Sequence, residues 1–239
     1  MTDLDYTRFE ALTFDCYGTL IDWETGILAA LRPILGRRGV EPPDDELLAR
    51  FASSEAAAEA GPYERYREVL GLALDGIASS YGFEPEASER AAFGGSVGDW
   101  PAFTDSTAAV ARLHERFRLG VITNCDDDLF ARSAERLATR FDWVVTAQQV
   151  GGYKPDPGNF EFAFEKIGLP RERILHVAQS LYHDHVPAKR LGLATVWIDR
   201  RAGRPGSGAT PAAAEVTPDA TFPDMASFAA AATRSGSPG

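Results

Sequence analysis

Cysteine is scarce: Cys16 and Cys125 are the two thiols in 239 residues, too few for a disulfide framework and in keeping with a reducing compartment. Lysine occurs only at positions 154, 166 and 189, so almost every other cation is arginine, which is read as a compositional bias rather than as chemistry. No apolar stretch is long enough to span a bilayer, and the N-terminus, M-T-D-L-D-Y-T, has neither the basic start nor the apolar core of a secretory signal. Net positive charge is missing as well. A formal net charge of -11 argues against non-specific nucleic-acid binding. What these absences leave is a cytoplasmic protein with no membrane and no nucleic acid among its partners, one that meets small molecules or another subunit in a homodimer. With 44% hydrophobic and 25% charged residues the chain reads as globular, and its length allows one large domain or a core with an insertion.

Taken in order, a first strand ends near Asp15 and the pattern then turns helical. Ile27, Leu28, Leu31, Ile34 and Leu35 recur at helical spacing until Gly36 and Gly39 end them. Pro42 and Pro43 break the chain, and Asp44 is expected to N-cap a helix running towards Ala60. Beyond Gly61 and Pro62 a helix is expected from near Tyr63 to near Gly82, with a further helical segment from Pro85 to Phe93. No strand signal appears between Leu20 and Gly94. From Trp100 onwards β and α patterns alternate: a helix from Ser106 to Phe117 capped by Asp105 or Ser106, strands at 119–123, 143–146, 174–178 and 195–198, and a helix opened by the loop from Gly151 to Pro157 and ending at Ile167. Residues 203–218, rich in Gly, Ala and Pro, read as loop, a short strand and helix fit 220–232, and the terminal R-S-G-S-P-G reads as disordered. The shift in pattern predicts a helical cap inserted just after the first strand of an α/β core: core 1–19 and 97–232, cap 20–96, tail 233–239.

Chemistry is expected where Ala11 to Leu20 reads A-L-T-F-D-C-Y-G-T-L. Leu12, Thr13 and Phe14 suit a buried strand, and Gly18 lets the chain turn sharply just past Asp15. Sites in open α/β sheets form where strands finish. A carboxylate fixed there can attack carbon or phosphorus to give an ester that water later cleaves, or it can simply cap the next turn. Later strands also finish in polar residues, Thr123-Asn124 after one and Gln179, Ser180 and Asp184 after another.

Asp15 with Gly18-Thr19, then Thr123-Asn124, then Lys154-Pro155, then Asp184, in that order and over nearly the whole chain, resembles the haloacid dehalogenase superfamily. The resemblance implies a Rossmann-like parallel sheet under a helical cap. It implies Asp15 as nucleophile, Thr19 supporting its loop, Thr123 and Asn124 holding oxygens of substrate or intermediate, Lys154 balancing negative charge and Asp184 orienting Lys154 or water.

Two departures choose a branch. Phosphatases of the superfamily place a second Asp two residues after the nucleophile, where this chain has Tyr17, and a phenol with an ordinary pKa of about 10 is a poor acid for a leaving alkoxide. They also carry an acid beside position 179, where Gln179 offers Mg²⁺ only a neutral amide. D-C-Y-G-T-L therefore looks like the 2-haloacid dehalogenase branch, which implies no cofactor and no metal. The implied reaction is displacement of halide at C2 by Asp15, with inversion, and hydrolysis of the aspartyl ester to a 2-hydroxy acid. Tyr17, Gln179 and Ser180 are expected to line the substrate site. Relatives often receive the halide on a cap arginine; Arg50 is the candidate here, with Arg65 and Arg67 as alternatives. Phe160 and Leu181 also depart from residues common in that branch. Tyr17 could equally be core packing, Trp23 and Trp100 could line the entrance or pack a hinge, and His183 and His185 flank Asp184 without the further Cys or His of a metal cluster. The alternatives to dehalogenation are a Mg²⁺-dependent phosphatase of a small phosphorylated metabolite and a non-catalytic metabolite-binding protein.

Overall fold

All four residues of β1 (Ala11–Phe14) are buried, as a strand covered on both faces must be. It pairs in parallel with two neighbours, so that Phe14 stands opposite Val121 on one side and Val177 on the other. With β2 (Arg118–Thr123), β3 (Trp143–Thr146), β4 (Ile174–Ala178), β5 (Ala194–Ile198) and β6 (Ala220–Phe222) it forms a parallel sheet in the order β3-β2-β1-β4-β5-β6, the Rossmann-like arrangement. The order reverses at β1, and a crevice opens beyond its C-terminal end. These statements come from a computed structural model, which describes residues 4–204, 206, 208–212 and 215–234.

Between β1 and β2 the chain forms α1 (Trp23–Gly36), α2 (Asp44–Glu59), α3 (Tyr66–Ser80) and α4 (Ala87–Gly95), a helical block, and then α5 (Ser106–His114). The crossovers from β2 to β3, β3 to β4 and β4 to β5 run through α6 (Asp127–Arg136), α7 (Ala147–Val150) with α8 (Gly158–Ile167), and α9 (Val186–Arg190), while α10 (Met225–Ala232) follows β6. Side chains alternate along β1. Ala11 shares one apolar cluster with Phe160, Ala163 and Ile167 of α8, whereas Leu12 and Phe14 share another with α5, α10 and the helical block. Inside the block, Phe51 of α2 meets Trp23 and Phe93 edge-on, each at 6.2 Å between ring centres.

The expected elements form, with local differences. Pro43, not Asp44, stands at the N-cap of α2; Asp44 is its first helical residue and pairs with Arg32, and three acids in the first turn meet the helix dipole without a side-chain cap. Asp105 stands at the N-cap of α5 as expected, but its side chain makes no capping bond. Asp105 accepts Arg200 at 2.9 and 3.0 Å and the amides of Met225 and Ala226 at 2.7 and 3.2 Å, while the Ser106 hydroxyl donates to the Leu20 carbonyl. The third helix starts at Tyr66 rather than near Tyr63. The short α7 and α9, and a π-turn over Leu181–His185, carry no sequence pattern long enough to predict. Of the expected tail, Thr233 closes α10, and residues 235–239 lie outside the described residues.

Candidate active site

Asp15 is the first residue beyond β1, its amide donating to the Val177 carbonyl of β4 at 3.1 Å. Gly18 takes φ +89°, and a Cβ there would lie 2.9 Å from Trp23 Nε1, so the loop needs glycine on both counts. That turn carries Thr19 back under the carboxylate. The Thr19 hydroxyl donates to Asp15 Oδ2 at 2.7 Å and accepts the Gln179 amide at 2.9 Å. Arg200 donates to the Thr19 carbonyl at 2.9 Å and braces the loop from behind.

Lys154 supplies the countercharge. Its Nζ donates to Asp15 Oδ1 at 2.9 Å, to Asp184 Oδ1 at 2.7 Å and to the Ile122 carbonyl at 2.9 Å, which uses all three protons. Burial alone would lower this ammonium, but the two carboxylates hold it above its ordinary value. Asp184 runs the other way: against the pull of burial, Lys154 and then His176 hold it well below the carboxylate range. Burial raises Asp15, with Lys154 opposing, so Asp15 is the more basic carboxylate of the two. His176 Nε2 lies 2.9 Å from Asp184 Oδ1 and, since a carboxylate can only accept, donates to it, while Nδ1 lies 2.9 Å from Thr13 Oγ1.

Asp15 faces a small pocket. The core lines it with Asp15, Tyr17, Asn124, Lys154, Ser180 and His183, and the helical block with Trp23, Glu55, Glu59 and Tyr66. Asn124 braces Lys154, accepting its amide at 2.8 Å and donating to its carbonyl at 3.0 Å. Tyr17 lies 3.0 Å from Ser133 Oγ, accepts from Cys125 at 3.3 Å and meets Trp100 edge-on, and burial pushes its pKa well above the ordinary phenol value. It is a wall of the pocket and no acid. Glu55 is 3% exposed, accepts the Tyr66 hydroxyl at 2.5 Å and is raised by burial to about 7. Glu59, four residues on, is pushed well up by burial and then by Glu55.

Asp15, Thr19, Lys154 and Asp184 thus form one connected network, and Tyr17, Asn124 and Ser180 do face the pocket. Others named from sequence do not. Arg50 lies over Tyr81 and pairs with Glu46 at 3.1 Å on the outer side of α2, because that turn of the helix points away from Asp15. Arg65 is exposed, and Arg67 pairs with Asp126 and Asp128 at 3.3 and 2.6 Å. No arginine is among the lining residues. Gln179 turns its amide to Thr210 at 3.2 Å, and Thr123 is fully buried, its hydroxyl without a partner among the described residues. Glu55, Glu59, Tyr66 and His176 escape sequence reading. One signal was available: Leu48, Phe51, Ala52 and Glu55 form a single buried stripe of α2, and an acid in an apolar stripe is out of place.

A family model described as haloacid dehalogenase-like hydrolase matches residues 9–191. Among curated proteins, the haloacid dehalogenase-like hydrolase domain-containing protein 3 of Danio rerio is 28% identical, over 44% of this chain and 45% of that protein. An (S)-2-haloacid dehalogenase of Pseudomonas putida is 23% identical over 82% of this chain and 87% of its own length. A phosphoserine phosphatase of Thermus thermophilus is 28% identical over 76% and 71%. Among solved structures, a defluorinating L-2-haloacid dehalogenase superposes with a TM-score of 0.78 at 20% identity, over 93% of this chain and 94% of that one, a likeness of fold. With the family model covering most of the chain and both sheet order and site network in place, the protein belongs to the haloacid dehalogenase-like hydrolases.

Proposed function

We propose that this hydrolase removes halide from short 2-halo carboxylic acids in the cytoplasm, through an ester on Asp15, with residues 20–96 acting as a cap that closes the pocket. The observation that carries the reading is the setting of Asp15. Its carboxylate is held at both oxygens, by Thr19 and Lys154, and faces a small pocket whose residue 17 is a phenol locked into its own hydrogen bonds. Fixed in this way, Asp15 meets C2 of a bound haloacid opposite the halogen and displaces it with inversion. Halide leaves without a proton, so the absence of an acid at Tyr17 costs this reaction nothing. Lys154 opposes the upward pull that burial and the neighbouring Asp184 charge exert on Asp15, and so favours the ionised form that attacks.

The residues present do not make up a magnesium site of the phosphatase kind. Gln179, which stands beside the position where those phosphatases carry an acid, is a neutral amide and turns its side chain to Thr210 at 3.2 Å, so it offers no carboxylate to a cation. The test is one assay plate: halide release from 2-chloropropionate with and without chelator, beside phosphate release from generic monoesters with and without Mg²⁺. Chelator-insensitive halide release is expected. Magnesium-dependent phosphate release without dehalogenation would overturn the reading.

A further inference from the structure

Asp184 is fully buried behind the pocket wall, and its two oxygens have unlike surroundings. Oδ1 accepts Lys154 Nζ at 2.7 Å and His176 Nε2 at 2.9 Å, whereas Oδ2 is buried with no partner among the described residues. The torsion that turns a carboxylate about its Cβ–Cγ bond is soft, so a single donor on one oxygen leaves its plane free to swing. Lys154 is a poor anchor for that plane, because an ammonium on a flexible stem follows the oxygen it pairs with. The second donor, His176, is what fixes Oδ1 in place.

His176 is itself held firmly. Thr13 of β1 stands opposite His176 of β4, which puts both side chains on one face of the sheet, and Thr13 Oγ1 lies 2.9 Å from Nδ1. Phe160 of α8 meets the imidazole edge-on at 5.0 Å between ring centres. The ring is fully buried on a strand inside the sheet, a rigid element of the kind that holds a group to within about 0.5 Å. Neutral or charged, it donates from Nε2 to a carboxylate that only accepts. Thr13, His176, Asp184, Lys154 and Asp15 thus form an unbroken chain of contacts of 2.7 to 2.9 Å, which leaves β1 at Thr13 and returns two residues later at Asp15.

We propose that His176 is a positioning residue of this site: by fixing Asp184 Oδ1 it keeps the Lys154 ammonium aimed at Asp15 Oδ1 and leaves Asp184 Oδ2 free of any fixed donor. The proposal rests on Asp15 being the nucleophile. His176 is not among the residues that line the pocket, so its effect falls on the rate of the bound complex and not on substrate binding.

Amide side chains separate the two contacts of the ring. The nitrogen of Gln reaches roughly to the place of Nε2 and that of Asn roughly to the place of Nδ1, so His176→Gln renews the donor to Asp184, His176→Asn renews only the contact with Thr13, and His176→Phe renews neither. With 2-chloropropionate, the Asn and Phe variants are expected to lose about ten- to a hundredfold in kcat, as for a hydrogen bond to a charged group, with KM within about twofold of wild type. The Gln variant is expected to recover most of that loss. Wild-type kcat in the Phe variant, equal losses in Gln and Asn, or a loss carried by KM would each overturn the proposal. If His176→Phe fails to fold, the Gln and Asn pair decides. The ring proton gives a readout that needs no change at His176. In enzyme labelled with heavy nitrogen at histidine, the Nε2 proton should be visible by NMR and should shift when Asp184→Asn weakens its acceptor; an unshifted proton overturns the contact. Absence of halide release from the wild-type enzyme would overturn the dehalogenase reading itself, and this proposal with it.

Discussion

At the scale of single residues, Lys154 decides the electrostatics of the site. Its side chain is 1% exposed and stands between two carboxylates at 2.9 and 2.7 Å. Removing it leaves both acids buried without a countercharge, a loss of about 3–5 kcal/mol of stability by comparison with other broken buried pairs. Lys154→Ala is therefore expected to lower the thermal midpoint and to slow halide release at least about a hundredfold in the fraction that remains folded. A folded variant with unchanged turnover would remove Lys154 from the machinery. The same scale shows what the chain lacks. Lys154 is saturated by its three acceptors, and no arginine is among the residues that line the pocket.

At the scale of elements, the helical block is joined to the sheet by a few strong contacts. α3 has no side-chain cap of its own; Asp126, fully buried before α6, accepts the Tyr66 and Arg67 amides at 3.0 and 3.2 Å and the Arg67 guanidinium at 3.3 Å. The core thus caps a helix of the block. Tyr153 adds a bond to the Glu64 carbonyl at 2.8 Å, and Arg201 joins Glu24 at 2.7 Å and Asp45 at 3.0 Å. Asp126→Ala is expected to cost about 1–3 kcal/mol by leaving these donors unpaired. Hydrogen exchange should then accelerate in the first turn of α3 more than in the sheet, and uniform acceleration would count against a local capping role.

At the scale of the whole molecule, the buried pocket groups give stability a pH dependence of mixed sign. Glu55 is raised from 4.5 to about 7 by burial, so the stability it contributes is full below 4.5 and is lost as pH rises through about 7. His183 and His185 are lowered from 6.5 to about 4 by burial, so theirs is full above 6.5 and is lost as pH falls towards 4. The opposing trends make the wild-type profile shallow. Glu55→Gln removes the first trend and is expected to be more stable than wild type by about 3 kcal/mol near pH 8. The gain should vanish by pH 4.5, as followed by guanidinium midpoints. An equal gain at every pH would show that packing, not ionisation, is responsible.

The alternation of strands and helices, the helical block after β1 and the motif residues Asp15, Thr19, Lys154 and Asp184 were all legible in the sequence, because each rests on local pattern or on fixed order along the chain. A buried strand must be apolar throughout, and a turn past a strand-end acid needs a glycine such as Gly18. The order of the sheet, the faces of α2 and the partners of each acid were decided only by tertiary packing. Arg50 and Glu55 lie five residues apart on that helix, and its 3.6-residue period turns one outward to Glu46 and the other onto the pocket. Nor does spacing alone show that Asp126 would cap a helix some sixty residues away, or that His176 would stand behind Asp184. Burial sets the basicity of Glu55, and burial is a property of the assembled fold rather than of the residue.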